Sequence, residues 1–584
     1  MIEILLEYLL SRRGDDGYFE GRLSDSAVST AVACVALETA DAHKYADEIR
    51  RAKHWLISNR NDDGCYGDSP ESPSNLTASF LAYAALNRDA QYQQELKPLR
   101  SWLLNYFGDF SFASVKRGFL KEYGQDLTFS VPILAMATAA RFFDDENEAW
   151  RKMPKFPFEA VIIPENFFKY MNLPVVSYAI PALICVGLAQ LHHTKNVIIK
   201  TIRSFAKDKA LRVLTAKQPS SGGFLEAAPL TGFCAMCLCK AGLKEHSATV
   251  NSLRFLLETQ RDNGAWPIDR DLRQWTTSLS LSAIAQYLSD DEKNHYRKKL
   301  IAHQTKEIHP FTRSAPGGWG WTTHSGSVPD ADDTCAALIA LHKLGETSSK
   351  AIEDGIVWLL DLQNRDGGIP TFCRGWGRLP FDKSCPDISA HAFKAFSCHE
   401  DKLPPALRSR VTNAKKRIIT YLKNIQRPDG AFTALWFGDQ QSSAKEAFVY
   451  GSAVVLEHLS GHLSDLDKSF LDKTVEYLMS KQHESGGWGS AETLHDDVTV
   501  TARVITALKP YPQAQSAVNR GLKFLDPFIE NPDTIPPEPI GLYFAHLWYS
   551  EELYAPIFLL NALSGMDNQN ISLENIHEKH LDTA

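Results

Sequence analysis

The feature that most constrains this chain is a recurring break. A helical pattern ends in Gln or Arg, a Gly follows four residues later, and an aromatic often stands two beyond that. Arg13, Gly17 and Phe19 open the series, and Arg60, Gly64 and Tyr66 repeat it. Gln218, Gly222 and Phe224 come next, then Gln260, Gly264 and Trp266, the pair Gln363 and Gly367, Gln426, Gly430 and Phe432, and Gln482, Gly486 and Trp488. Apolar helical stretches such as RVITAL and YGSAVVLEHL lie between these heads. A Gly at a fixed place after a helix allows a turn that a bulkier residue would strain, while the Gln and the aromatic can tie adjacent helices together. Helix pairs repeating every 40 to 60 residues or so build an α-solenoid or a closed α/α barrel. The expected class is therefore all-α, and 584 residues suffice for two or more cores.

The totals narrow the function. Lys and Arg number 62 against 70 Asp and Glu, a net charge of -8 that argues against nucleic acid as the main partner. Ten Cys are scattered without framework spacing, which favours a reducing compartment over a disulfide scaffold. The start, MIEILLEYLLSRR, carries Glu3 and Glu7 within its apolar run and reads as an amphipathic helix, not a signal peptide. The longest apolar run, Leu173 to Leu191, is interrupted by Pro181 and reads as a buried helix pair. Asp144, Asp145 and Glu148 mimic a magnesium-diphosphate motif but read as a solvated acidic turn. Cys234, Cys237 and Cys239 read as small buried residues on a helix rather than metal ligands.

The stretch APGGWGWTTHSGSVPDADDTCAAL, from Ala315 to Leu338, carries the chemistry. Asp330, Asp332 and Asp333 fall at a helix start, where acids are favoured. Taken alone they are an acidic N-cap. Trp319 and Trp321 on the Gly-rich loop upstream change the reading. A neutral carboxylic acid beside aromatic faces suits alkene protonation, because the acid donates the proton and the π faces stabilise the carbocation. Three carboxyls this close cannot all ionise cheaply, so at least one should stay protonated near neutral pH.

PDADDT after GGWGW resembles the DxDD motif of class II terpene cyclases of the squalene-hopene cyclase type, and the repeat heads resemble that family's QW repeats in degraded form. The likeness covers nearly the whole chain. It implies two α/α barrels, of β and γ type. The γ-like barrel would be inserted at about residues 15 to 265, with 1 to 14 and 266 to 584 forming the catalytic β-like barrel; this division rests on repeat phase and the resemblance. The middle acid, Asp332, would be the proton donor, with Asp330 and Asp333 setting its environment. In SCPDISAHAF, Asp387 and His391 stand one helical turn apart, and the segment resembles the one whose His holds the catalytic acid. His391 would then hydrogen-bond and orient Asp332. Tyr450, in FVYGSAVV, resembles a Tyr that supports this network. Trp321 matches the family's central aromatic, and Trp275, Phe372, Trp436 and Tyr543 resemble other aromatics of the substrate cavity.

Leu173 and Leu547 fall where aromatics are usual, and Arg374, Arg378 and Lys383 make one loop unusually basic. These departures concern the substrate. Squalene leads, with a shorter prenyl diphosphate or a prenylated aromatic as the alternative. The resemblance implies no metal and no cofactor, magnesium entering only with a diphosphate. It also implies an isoprenoid small molecule as partner, a homodimer as an allowed state, and a cytoplasmic protein with peripheral contact to the inner face of the membrane. Two other classes compete. A zinc-dependent prenyltransferase-like barrel would use Asp333, Cys335 and His391 as ligands. A non-enzymatic scaffold would leave Asp332→Asn silent.

Overall fold

A computed structural model describes residues 2–124, 127–155, 158–159, 180–310, 314–370, 383–435, 437–463, 465–492, 495–542 and 547–565. Phe372, Trp436, Tyr543, Arg374, Arg378 and Leu173 lie outside the described residues. The chain forms two units. One comprises residues 1–22, 271–323 and 328–584, and the other 23–270 and 324–327. The divisions fall at 22/23 and 270/271. Four residues of the loop before the acids also group with the second unit.

The first unit is a closed ring. Its inner helices are Arg273–Ile284, Ala331–Lys343, Pro386–His399, Phe448–Leu459, Val498–Leu508 and Tyr554–Leu563. Each packs on the next, and the last packs back on the first. They are buried almost all round: in Ala331–Lys343 every residue from Asp333 to Leu341 is buried. A helix apolar on all faces needs neighbours on all faces, and a ring provides them. The outer helices are amphipathic. Gln515–Glu530 buries Ala517, Val518, Gly521, Leu525 and Ile529 along one stripe. The N-terminal helix Ile2–Ser11 buries Leu5, Leu6 and Leu9 and packs on Tyr554–Leu563, so the first residues of the chain supply the outer partner of the last inner helix.

In the second unit the inner helices are Ala27–Asp41, Leu76–Leu86, Leu127–Ala139, Ile180–His192 and Ala228–Lys240 among the described residues. Ala228–Lys240 packs back on Ala27–Asp41. Cys234, Cys237 and Cys239 are buried in that helix. Asp145 caps Glu146–Lys152, accepting the Glu148 N–H at 2.9 Å.

The repeat heads explain both units. After each outer helix the Gly lies at positive φ, for instance +93° at Gly264 and +95° at Gly486. A Cβ there would meet a backbone carbonyl oxygen at 2.5 Å, that of Arg51 or Arg520 respectively. The Gln donates to its own turn and to a neighbouring outer helix. Gln260 Nε2 reaches Gly264 O at 3.1 Å and Glu48 O at 3.0 Å, and Gln482 Nε2 reaches Gly486 O and Ala517 O, both at 2.8 Å. The aromatic closes the end of the preceding helix: Trp266 Nε1 donates to Leu256 O at 2.8 Å, and Trp488 Nε1 to Leu478 O at 2.7 Å.

Candidate active site

Gln304 is a repeat head that spacing alone does not show. Its Nε2 donates to Gly317 O, 13 residues on, and to Ala351 O, both at 2.8 Å. Trp319 is the aromatic of this head. It is fully buried and its indole N–H donates to Leu300 O at 2.8 Å, as the other head tryptophans do. Trp319 therefore anchors the acidic loop. Its carbonyl accepts the Asp330 N–H at 3.0 Å, and its own N–H goes to Thr334 Oγ1 at 3.0 Å.

Asp330 is held as the N-cap of Ala331–Lys343, accepting the Asp333 N–H at 2.9 Å. Asp330 and Asp333 are each 6% exposed, whereas the Asp332 side chain keeps 22%. Of the three acids, the middle one is thus the one open to a reactant. Burial pushes both Asp330 and Asp333 well above the ordinary carboxyl range, and in Asp333 the charge of Asp330 adds to it. Asp333 Oδ1 has no hydrogen-bond partner among the described residues.

Pro386 starts the next inner helix, where a missing N–H costs nothing. Asp387 and His391 follow on one face of it, and the two helix starts meet: His391 Nδ1 lies 2.6 Å from Asp332 Oδ1, across 59 residues of sequence. Asp387 is 3% exposed and takes the Cys385 thiol as a donor. Burial pushes it up to about 6, with the charge of Asp332 acting in the same direction. Buried carboxyls of raised proton affinity therefore stand around the accessible one.

Trp275 joins the site through the loop. The Trp321 carbonyl caps Arg273–Ile284 by accepting the N–H groups of Gln274 and Trp275 at 2.9 and 3.1 Å. Trp275 stands edge-on to His391, with ring centroids 6.5 Å apart and planes at 72°. Its indole N–H donates to Tyr554 Oη at 3.0 Å. Tyr450 is buried, meets Phe437 edge-on at 5.4 Å and faces the Arg503 guanidinium at 5.4 Å. Burial pushes its phenol above its ordinary value; Arg503 opposes the shift, and the charges of Asp332 and Asp387 add to it. Cys385, within SCPDISAHAF, belongs to this neighbourhood, as do Tyr554, Arg503 and His458, to which no motif pointed. The available signal was a charged or His side chain inside an otherwise apolar helix pattern, as in VTVTARVITAL and YGSAVVLEHL.

Among the described residues no three His, Cys, Asp or Glu side chains are grouped so as to hold a metal ion. Asp333, Cys335 and His391 are no exception, and His391 commits its Nδ1 to Asp332. Those residues do not fit a zinc site.

A ring of helix pairs tied by Gln–Gly–aromatic heads, with a His-bound acid at the start of one inner helix, is the frame of a class II terpene cyclase. The chain belongs to the squalene-hopene cyclase family: residues 274–510 match the model of that family's C-terminal domain and residues 2–106 that of its N-terminal domain. Enfumafungin synthase of Hormonema carpetanum is 22% identical over 655 aligned residues, covering 93% of this chain and 46% of that protein. Drimenyl diphosphate synthase of Streptomyces showdoensis is 28% identical over 265 residues, covering 43% of this chain and 44% of its own. The chain spans about half the length of these relatives. In structure it resembles the ent-copalyl diphosphate synthase of Streptomyces platensis, at a TM-score of 0.55 and 16% identity over 96% of this chain and 98% of that one.

Proposed function

We propose that this protein cyclises a linear isoprenoid by protonating a terminal trisubstituted alkene from Asp332. The observation that carries this is the acid itself: Asp332 is the accessible member of three carboxyls and is bonded to His391 at 2.6 Å. His391 orients the acid and, by donating from Nδ1, stabilises the carboxylate left on Asp332 when the proton departs. Asp330 and Asp333 tune its surroundings, Tyr450 supports the acid–histidine network, and Trp275 and Trp321 supply aromatic faces for the developing cation. Ring closure then follows along the prefolded chain. It ends with loss of a proton or capture of water.

Squalene is the leading substrate, on the strength of the family. The likeness to drimenyl diphosphate synthase keeps a shorter prenyl diphosphate as the second reading, with magnesium required for that substrate alone. Purified protein given squalene in one tube, and farnesyl or geranylgeranyl diphosphate with Mg²⁺ in others, tests both by gas chromatography–mass spectrometry. Cyclic product lost in Asp332→Asn supports the acid, and the tube that yields it identifies the substrate. Wild-type activity in Asp332→Asn would refute the assignment.

No helix among the described residues is long and apolar enough to cross a membrane. Val197, Ile198 and Phe205 are nevertheless 74%, 72% and 81% exposed on Val197–Lys217, with the exposed Lys200 between them. That mixture suits peripheral contact with an anionic lipid surface. Flotation with phosphatidylglycerol vesicles, lost in Phe205→Glu, is the corresponding test.

A further inference from the structure

The imidazole that holds Asp332 is itself held. His458, on Phe448–Leu459, lies flat against His391, with ring centroids 4.5 Å apart and planes within 7°. Trp275 meets His391 edge-on from another helix at 6.5 Å. His458 is 8% exposed, and its Nδ1 has no hydrogen-bond partner among the described residues. Its surroundings are cationic. Lys394 and His391 act on it from Pro386–His399, Arg503 from Val498–Leu508, and His462 from just beyond its own helix. Glu457, the neighbouring anion, is engaged by Arg503 at 3.1 Å. Burial first, and these positive neighbours after it, push His458 well below its ordinary value.

Two imidazoles stacked at this distance in a buried site do not both carry charge cheaply. We propose that His458 is a positioning residue for the proton donor: as a neutral plate behind His391, it fixes the plane in which Nδ1 meets Asp332 Oδ1. The inference rests on Asp332 being the acid, and it assigns a role to a residue that touches neither substrate nor reacting atoms.

The test uses the full chain and two substitutions. His458→Phe keeps a flat, uncharged ring and breaks no bond at Nδ1. It should retain turnover of squalene within about twofold and leave the pH–rate profile superimposed on wild type. His458→Ala frees one face of His391. It should lower kcat about tenfold or more with KM within twofold, displace the pH–rate profile, and move the His391 ring ¹⁵N resonances, which stay in place in His458→Phe. A merely structural role would lower thermal stability without moving the profile or those resonances, and would overturn the proposal. Equal damage from Phe and Ala would also overturn it, because the stacked face would then not be what matters. Should wild type turn over no isoprenoid, the proposed reaction fails separately, and the His391 resonances alone decide the role of His458.

Discussion

The two rings share a construction and differ in what stands at the starts of their inner helices. Gly264 in one and Gly486 in the other approach a backbone carbonyl equally closely, and Trp266 and Trp488 close helix ends by the same bond. In the second unit, however, Ser26 and Asn75 cap the inner helices Ala27–Asp41 and Leu76–Leu86, neutral side chains satisfied by helix N–H groups. Among its buried carboxyls, Glu226 accepts from the Ser221 hydroxyl and the Gly326 N–H through Oε1, each at 2.7 Å, and is fully buried. In the first unit an acid retains exposure and is bonded to a histidine. The repeat builds a ring. The proposed chemistry belongs to the helix start whose acid keeps exposure beside a histidine.

Substitutions can break that contrast. Asp332→Asn should abolish cyclisation, by about a thousandfold or more, with the thermal unfolding midpoint little changed, as expected for removal of a general acid. Measured side by side, turnover and unfolding separate chemistry from fold.

Gly264→Ala and Gly486→Ala should each cost about 2–4 kcal/mol in denaturant unfolding, because both positive φ and a carbonyl contact forbid the methyl. Equal losses in the two rings would sharpen the view that the heads are purely architectural. Tolerance at Gly486 alone would break it.

The pH dependence separates the buried acids from the rest of the ring. Asp387 is raised from 3.8 to about 6. A raised acid binds its proton more tightly in the folded state, so its contribution to stability is full below its ordinary value and is lost as pH rises through about 6. Asp387→Asn should therefore stabilise the protein at pH 8, by up to about 3 kcal/mol, and leave it unchanged at pH 4. Unfolding midpoints at the two pH values check the sign.

The smallest effect should come from Trp319→Phe, which removes the bond to Leu300 O at a cost of about 1–2 kcal/mol and leaves kcat within twofold. A large loss of kcat would return Trp319 to the cation-binding set, where sequence reading had placed it.

Much of the frame was legible because it is local. The heads at Gln218, Gln260, Gln363, Gln426 and Gln482 keep a fixed four-residue spacing to Gly, and each forms the same bond pair. Gln304 escaped notice because the loop between it and Gly317 breaks the spacing while the hydrogen bond survives. Trp319 and Trp321, two residues apart in one Gly-rich loop, looked equivalent in sequence. The fold gives one to the helix end and uses the carbonyl of the other to cap the helix bearing Trp275.

The sequence by itself determined the repeat, the all-α class, the acid triplet at a helix start and the one-turn spacing of Asp387 and His391. These depend on residue identity at short separations, where backbone geometry leaves few choices. Only the tertiary structure decided which acid stays accessible, that His391 Nδ1 meets Asp332, and that His458 lies behind it. Those facts depend on which inner helices become neighbours when the ring closes, and side chains 59 residues apart acquire a distance only then.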